Sequence, residues 1–197
     1  MSEAHERAEE VEHVGGHNKN IALLISVLAL FLAFSETLGK SSQTAAISDN
    51  VLSSDLWAFF QAKTIRITVL RTAAETLTLN GGSSEAAKAN IPKKIDEWQK
   101  LIARYEDDPE SNEGRKQLSA RAKVLEERRD TALARYHNYE IASAAFQIGI
   151  VLASASVITG MVLLVWLSGG IGVIGLLFTS LGLFAPHLAH FILSGGH

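Results

Sequence analysis

The chain has no cysteine and only three prolines among its 197 residues. The absence of cysteine excludes disulfide bonds and cysteine-based metal sites. The sequence also lacks a glycine-rich phosphate loop, a Gly-x-Ser-x-Gly nucleophile turn and a His-Glu-x-x-His zinc motif. We therefore predict a protein that is not an enzyme and that holds no metal or other cofactor.

Charge is also nearly absent from three long apolar stretches. The first runs over 21–38 with Glu36 as its only charged residue, and the others run over 141–167 and 171–193. A bilayer core of about 30 Å needs about 20 helical residues, and the stretches lack the alternation typical of barrel strands. The sequence predicts an all-α membrane protein with three transmembrane helices.

The predicted order has six segments. These are an acidic N-terminal tail (1–19), a first span (20–38), a charged helical insert (39–140), a second span (141–167), a third span (171–193) and a C-terminal tail (194–197). Lys19 and the small residues around Ala33 also fit a cleavable signal peptide. The apolar run starts late and follows an acidic tail, which favours a retained helix.

Basic residues predict the orientation of the spans. Residues 1–20 contain two basic residues and five glutamates, whereas 40–140 contains sixteen of the eighteen lysines and arginines. Basic residues next to a membrane stay on its cytoplasmic side. We expect the insert and the C-terminus to be cytoplasmic and the N-terminus to be outside. The insert also contains fifteen acidic residues, so its net charge nearly cancels and nucleic-acid binding is not expected.

The insert has apolar residues at alternating spacings of four and three, which is the seam of coiled-coil packing. The spacing predicts a cytoplasmic, coiled-coil-like stalk in which three helices pack on one another. The residues expected in this packing are Leu56, Trp57, Phe60, Ile67, Leu70 and Trp98. The aromatic and basic residues of 56–66 also fit an alternative, in which this segment lies on an anionic membrane surface.

Cap and breaker residues predict where the stalk helices begin and end. Residues 53–55 (Ser-Ser-Asp) offer an N-cap for the first helix, and 80–84 end it. Pro92 suits the first turn of the second helix, and 107–112 separates the second from the third. The third helix begins near Glu113 and continues into the second span.

Small residues form a stripe on each of the first two spans, and such stripes let helices approach closely in lipid. We expect them to form helix contacts, either within one chain or between copies; a substrate groove is the alternative. The first stripe contains Ala22, Ser26, Ala29, Ala33 and Glu36, and the second contains Ala142, Ala145, Gly149, Ala153, Ser156 and Gly160. The glycines of 169–175 resemble a nucleotide-binding fingerprint, but they follow a membrane helix and favour a tight hairpin with close packing.

Four polar residues of the spans are predicted to lie near the same cytoplasmic edge: Glu36, Gln147, His187 and His190. Ionisable residues inside a span tend to face the bundle and to find a partner. A carboxylate with imidazoles suits a proton or ion path, or a metal or haem site. The alternative is that these groups are hydrated at the headgroup boundary. In the N-terminal tail, His5, Glu9 and His13 share a helical face, a geometry that could hold a divalent cation. Short acidic tails with histidines are more often simply solvated.

Two sequence blocks carry a resemblance to a known family. They are SETLGK at 35–40 and DLWAFFQAKTIR at 55–66. With the order of span, insert and two closing spans, the chain resembles a family of small bacterial membrane proteins known only as a domain of unknown function. The resemblance implies a bacterial inner-membrane protein, and it brings no activity, cofactor or catalytic residue.

Two functions remain open. The first is a homo-oligomeric scaffold or assembly factor in the lipid bilayer, whose stalk binds copies of itself or an unknown protein partner. The second is an oligomeric ion or proton channel with Glu36 and His187 at its cytoplasmic mouth.

Overall fold

The computed structural model describes the backbone of residues 2–80 and 85–188, and the side chains of 19–79 and 88–188. The described residues form four helices and no strand. The helices are α1 (Ser2–Asn80), α2 (Glu85–Glu106), α3 (Arg115–Thr159) and α4 (Val162–Phe184). Three of them, α1, α3 and α4, are long and apolar enough to cross a membrane. The chain divides into a first unit (Met1–Ala46 and Asp130–His197) and a second unit (Ile47–Arg129).

Helix α1 continues without a break from the apolar stretch into the charged insert. The predicted N-cap at residues 53–55 is therefore wrong, and the predicted boundary at residue 38 is not a helix end. Residues 40–79 contain neither proline nor glycine, so nothing in them terminates a helix. The buried residues of α1 recur in steps of four, seven or fourteen residues, which keeps one face inside: Ile21, Leu28, Ser35, Gly39, Ala46, Ser53 and Ile67.

The turn between α3 and α4 lies at Gly160 and Met161, not at residues 168–170 as predicted. Helix α3 ends at Thr159, and Gly160 has φ of 70°, the left-handed conformation that glycine adopts without strain. Residues 168–170 lie within α4, so the second and third apolar segments are each bounded differently from the prediction. Gly160 ends α3, and no atom lies within 4 Å of a Cβ added there, so this residue does not pack against another helix within the chain.

The first unit is held together by a face of small residues on α4. Ser168, Gly172, Gly175, Thr179 and Gly182 are the buried residues of this helix, at steps of four and three. Large side chains of α1 and α3 fill the space that these residues leave. A Cβ added at Gly172 would lie 2.7 Å from Leu28, one at Gly175 2.7 Å from Phe146, and one at Gly182 2.6 Å from Tyr139.

The second unit is a helical hairpin rather than a bundle of three helices in mutual contact. Helix α2 runs back along the later part of α1, where Lys63 Nζ lies 5.1 Å from the centre of the Tyr105 ring. Helix α3 then pairs with the earlier part of α1, where Trp57 Nε1 donates to Glu126 Oε1 at 2.8 Å. The return chain is divided between two helices, so α1 meets them one after the other. The predicted packing of all three stalk helices against one another is wrong.

The residues predicted to pack the stalk lie on the inner side of this hairpin. Ile67 is 1% exposed. The others are half-buried, since a hairpin of two helices shields only one stripe of each: Leu56, Trp57, Phe60, Leu70 and Trp98. Pro92 lies inside α2, which begins at Glu85, so its predicted place in the first turn is also wrong.

A tight turn at residues 107–114 joins α2 to α3. The Asp108 carboxylate accepts from the Ser111 backbone N–H at 3.2 Å and from Arg104 Nε at 3.1 Å. Hydrogen bonds from Ser111 and Arg104 lower the pKa of Asp108 to about 2. Gly114 has no room for a side chain, because an added Cβ would overlap the Asp108 backbone nitrogen.

Candidate functional site

A groove lined mainly by polar residues lies between α1 and α3 of the first unit, at the end of the first apolar stretch. It has a volume of about 440 Å³. Polar side chains line it because the apolar stretch of α1 gives way to Lys40 and Gln43 at this level. The lining residues are Ser35, Glu36, Gly39, Lys40, Gln43, Tyr136, Tyr139, Glu140, Ser143, Ala144 and Gln147.

Glu36 and Gln147, two of the four residues predicted to lie near one edge of the spans, meet in this groove. Gln147 Nε2 donates to Glu36 Oε1 at 3.3 Å, from helix α3 to helix α1. Both side chains remain exposed, so the pair is not enclosed by the chain itself. An uncharged amide beside the carboxylate satisfies one of its oxygens without neutralising its charge.

A second carboxylate, Glu140, lies in the same groove. Tyr136 Oη donates to Glu140 Oε1 at 3.4 Å. His137 Nδ1 lies 3.7 Å from Glu140 Oε2, and the two form an ion pair when the histidine is protonated. The two carboxylates, Glu36 and Glu140, give the groove groups that can exchange protons, and Lys40 offsets part of their negative charge. Among the described residues, no three side chains of metal-ligating type converge on one point.

His187 makes its contact elsewhere. Its Nε2 lies 3.3 Å from Thr131 Oγ1, and the neighbouring Pro186 carbonyl accepts from Asn138 Nδ2 at 3.0 Å. These hydrogen bonds hold Pro186 and His187, which follow α4, against the part of α3 that contains Thr131 and Asn138. His187 is not among the residues that line the groove of Glu36 and Gln147. The predicted four-residue cluster is thus not assembled in the described part of the chain. His190 lies outside the described residues.

The predicted packing residues of the membrane helices fall into two groups. Gly149 and Ala153 of α3 are buried, and an added Cβ at Gly149 would lie 3.2 Å from Leu28. Ser168 Oγ also donates to the Gly149 carbonyl at 2.7 Å, which ties α4 to α3. Ala29 and Ala33 of α1 are exposed, so they are not buried against another helix of the chain.

Several contacts that organise the first unit were not predicted from the sequence. Ser35 Oγ and Thr179 Oγ1 lie 3.0 Å apart in a buried hydrogen bond between α1 and α4. The rings of Phe31 and Phe146 stack with centroids 5.9 Å apart. The heptad spacing of α1, extended backward from the insert, would have identified Ser35 as an inward-facing residue. The side chains of His5, Glu9 and His13 lie outside the described part.

Comparison with known proteins adds a family. Residues 17–185 match the family described as "Domain of unknown function (DUF4337)". No curated protein and no solved structure matches the chain. The match covers the three helices long enough to cross a membrane and the insert between them. On this evidence the chain belongs to the DUF4337 family, a domain of unknown function.

Proposed function

We propose that the protein is a non-catalytic, self-associating scaffold of a bacterial inner membrane, with its insert and C-terminus in the cytoplasm. The observation that carries this proposal is the uncovered face of α1. Ala22, Ser26, Ala29, Ala33 and Glu36 recur at steps of four and three, and all five are exposed. We refer to these five residues as the α1 stripe.

The α1 stripe is suited to contact another helix rather than lipid alone. Small residues let two helix backbones approach, and close packing is the main source of helix association in a bilayer. Helices α3 and α4 pack mainly on a different face of α1, that of Leu28 and Ser35, and α3 reaches the stripe at Glu36 through Gln147. The part of the stripe from Ala22 to Ala33 is exposed and fits a helix of a second copy.

A proton or ion path is the second candidate, and the groove of Glu36 and Glu140 favours it. Two carboxylates and Lys40 line one groove at the end of an apolar stretch. Ionisable groups are costly within a membrane span, so those that occur there commonly mark a functional site. Glu36 belongs both to this groove and to the α1 stripe. Association through the α1 stripe would therefore surround this carboxylate with helices of several copies.

Enlarging the α1 stripe tests the scaffold proposal. We expect the wild-type protein to contain more than one copy in nanodiscs or gentle detergent, counted by native mass spectrometry. The variant A29L/A33L should raise the dissociation constant about tenfold or more, because overpacking a close contact costs about 1–3 kcal/mol. The control G170L adds similar bulk on α4, where an added Cβ meets no atom within 4 Å.

Three outcomes distinguish a monomer, an oligomer that forms without the α1 stripe and an oligomer that forms through it. A wild-type protein that is monomeric at all concentrations contradicts the proposal outright. Oligomers whose affinity A29L/A33L leaves unchanged show that the α1 stripe is not the contact. A loss of affinity in A29L/A33L but not in G170L supports it.

A further inference from the structure

The second unit has an apolar groove on one flank of its helical hairpin. The groove has a volume of about 540 Å³ and lies between α1 and α3. We call it the hairpin groove. Its lining residues are Leu52, Asp55, Leu56, Phe59, Ala120, Arg121, Val124, Leu125 and Arg128.

The floor of the hairpin groove consists of large apolar side chains that the chain leaves uncovered. Leu52 is 49% exposed, Phe59 62% and Val124 48%. A pair of helices buries only the stripe along which its members touch, so its flanks stay open. Val69 and Thr76 of α1 lie two and three heptads after Asp55 and line a second apolar groove against α2. The apolar flank therefore extends along most of the hairpin.

Opposite charges border the two sides of the hairpin groove. Asp55 lies on the α1 side, and Arg121 and Arg128 lie on the α3 side. Among the residues that the structure describes, neither Asp55 nor Arg128 forms an ion pair. Arg121 donates only to the Asn112 carbonyl oxygen, at 3.3 Å. Each side of the groove thus carries charge that the chain itself does not neutralise.

Two contacts between α1 and α3 determine the position, or height, of each of these charges along the axis of the hairpin. Asn50 meets Arg129 at 3.3 Å, and Trp57 meets Glu126 at 2.8 Å. Since α1 and α3 are antiparallel here, these contacts place Asp55 level with residues 124–128 of α3, closer to Arg128 than to Arg121. Arg128 then lies within about one helical turn of the level of Asp55, and Arg121 lies about one to two turns away.

We infer that the hairpin groove binds the hairpin groove of a second copy of this chain, about a twofold axis parallel to the helices. Such an axis keeps heights unchanged and places α1 of one copy over α3 of the other. Asp55 of each copy then faces Arg128 of the other, with Arg121 about one to two turns further along, and the apolar floors meet as the core of a four-helix arrangement. This contact is a self-complementary surface, which a heterologous partner would match only by coincidence.

The inference rests on the proposed self-association and identifies where in the second unit it occurs. Its test uses the full-length protein in detergent and two charge-reversed variants. D55R places arginine against Arg128 and near Arg121 of the other copy, and R121D/R128D places aspartates at these two positions near Asp55. We expect each variant alone to self-associate at least tenfold more weakly than the wild type, since like charges face each other across the contact.

Mixing the two variants is the decisive step. In a one-to-one mixture, every contact between D55R and R121D/R128D chains pairs opposite charges, so differently tagged chains should co-purify as a heteromer of wild-type affinity. The controls E75R and K123D reverse exposed charges outside the groove and should leave self-association unchanged. Helical circular dichroism of each variant verifies that it folds.

A crosslink provides a test that needs no loss of association. The chain has no native cysteine. When D55C and R128C chains are mixed and treated with a short bismaleimide, a D55C–R128C adduct forms only between copies. We expect this adduct, and no adduct between two D55C chains. Wild-type oligomers with neither the adduct nor the heteromer overturn the groove contact alone, whereas a monomeric wild type overturns the proposed function as well.

Discussion

At the scale of single residues, the glycines of α4 explain how the first unit packs. Gly175 receives the ring of Phe146, which is 0% exposed, and Gly182 receives the ring of Tyr139. Without a hydrophobic effect between helices in lipid, this fit of a ring onto a bare backbone is a main source of attraction. The glycines at 172, 175 and 182 therefore serve packing rather than chain reversal.

A matched pair of alanine substitutions tests this role. G175A places a methyl group 2.7–3.0 Å from three carbons of the Phe146 ring, whereas G170A places it in open space on the same helix. Both substitutions raise the helix propensity by the same amount, so the difference between their free energies of unfolding measures the cost of the clash with Phe146. We expect G175A to be less stable than G170A by about 1–3 kcal/mol, measured by SDS titration of helical circular dichroism in mixed micelles. Equal stabilities would show that Phe146 does not depend on a bare backbone at 175.

At the scale of elements, the turn between α2 and α3 makes stability depend on pH. The pKa of Asp108 is held at about 2, below its usual value of 3.8, mainly by hydrogen bonds from Ser111 and then from Arg104. Because the folded-state pKa is lowered, the stabilisation is complete above about pH 4 and is lost as the pH falls through 2.

The variant D108N checks this dependence. We expect its melting temperature in detergent to lie below that of the wild type at pH 6, with a gap that narrows as the pH falls from 4 to 2. The control E110Q removes an exposed carboxylate from the same turn and should not show a gap that narrows in this way. A gap of constant size for D108N would mean that the charge of Asp108 does not stabilise the turn.

The sequence predicted the existence of most helices but not where two of them end. The spacing at Leu56 and Phe60 identified the inward face of α1, yet the search for a cap at residue 53 divided a continuous helix. The three glycines from 169 to 172 suggested a turn, although all three lie within α4, where Gly172 packs against Leu28. Gly160 ends α3 through its backbone conformation, and nothing in a stretch of small and apolar residues marks that position.

At the scale of the whole molecule, the candidate site was predicted only in part. Glu36 and Gln147 follow from counting residues along two antiparallel spans, and the structure brings them together at 3.3 Å. His187 has the right depth by the same count but contacts Thr131 on α3, because depth does not determine which side of a bundle a residue faces. The side of the bundle that His187 faces depends on how α4 packs. The sequence placed the turn before α4 at residues 168–170 instead of 160–161, so this packing could not be predicted.

The two candidate functions make opposite predictions for Glu36. If the protein is a scaffold, E36Q should retain the copy number of the wild type, since the amide oxygen still accepts from Gln147 and a hydrogen bond contributes only about 1 kcal/mol. Proteoliposomes with a pH-sensitive dye inside should then show no proton flux above that of protein-free vesicles, for either protein. A wild-type flux that E36Q abolishes and the exposed-site control E75Q preserves would instead establish the proton path. Because copy number and flux are measured on the same preparations, loss of assembly cannot be mistaken for loss of conduction.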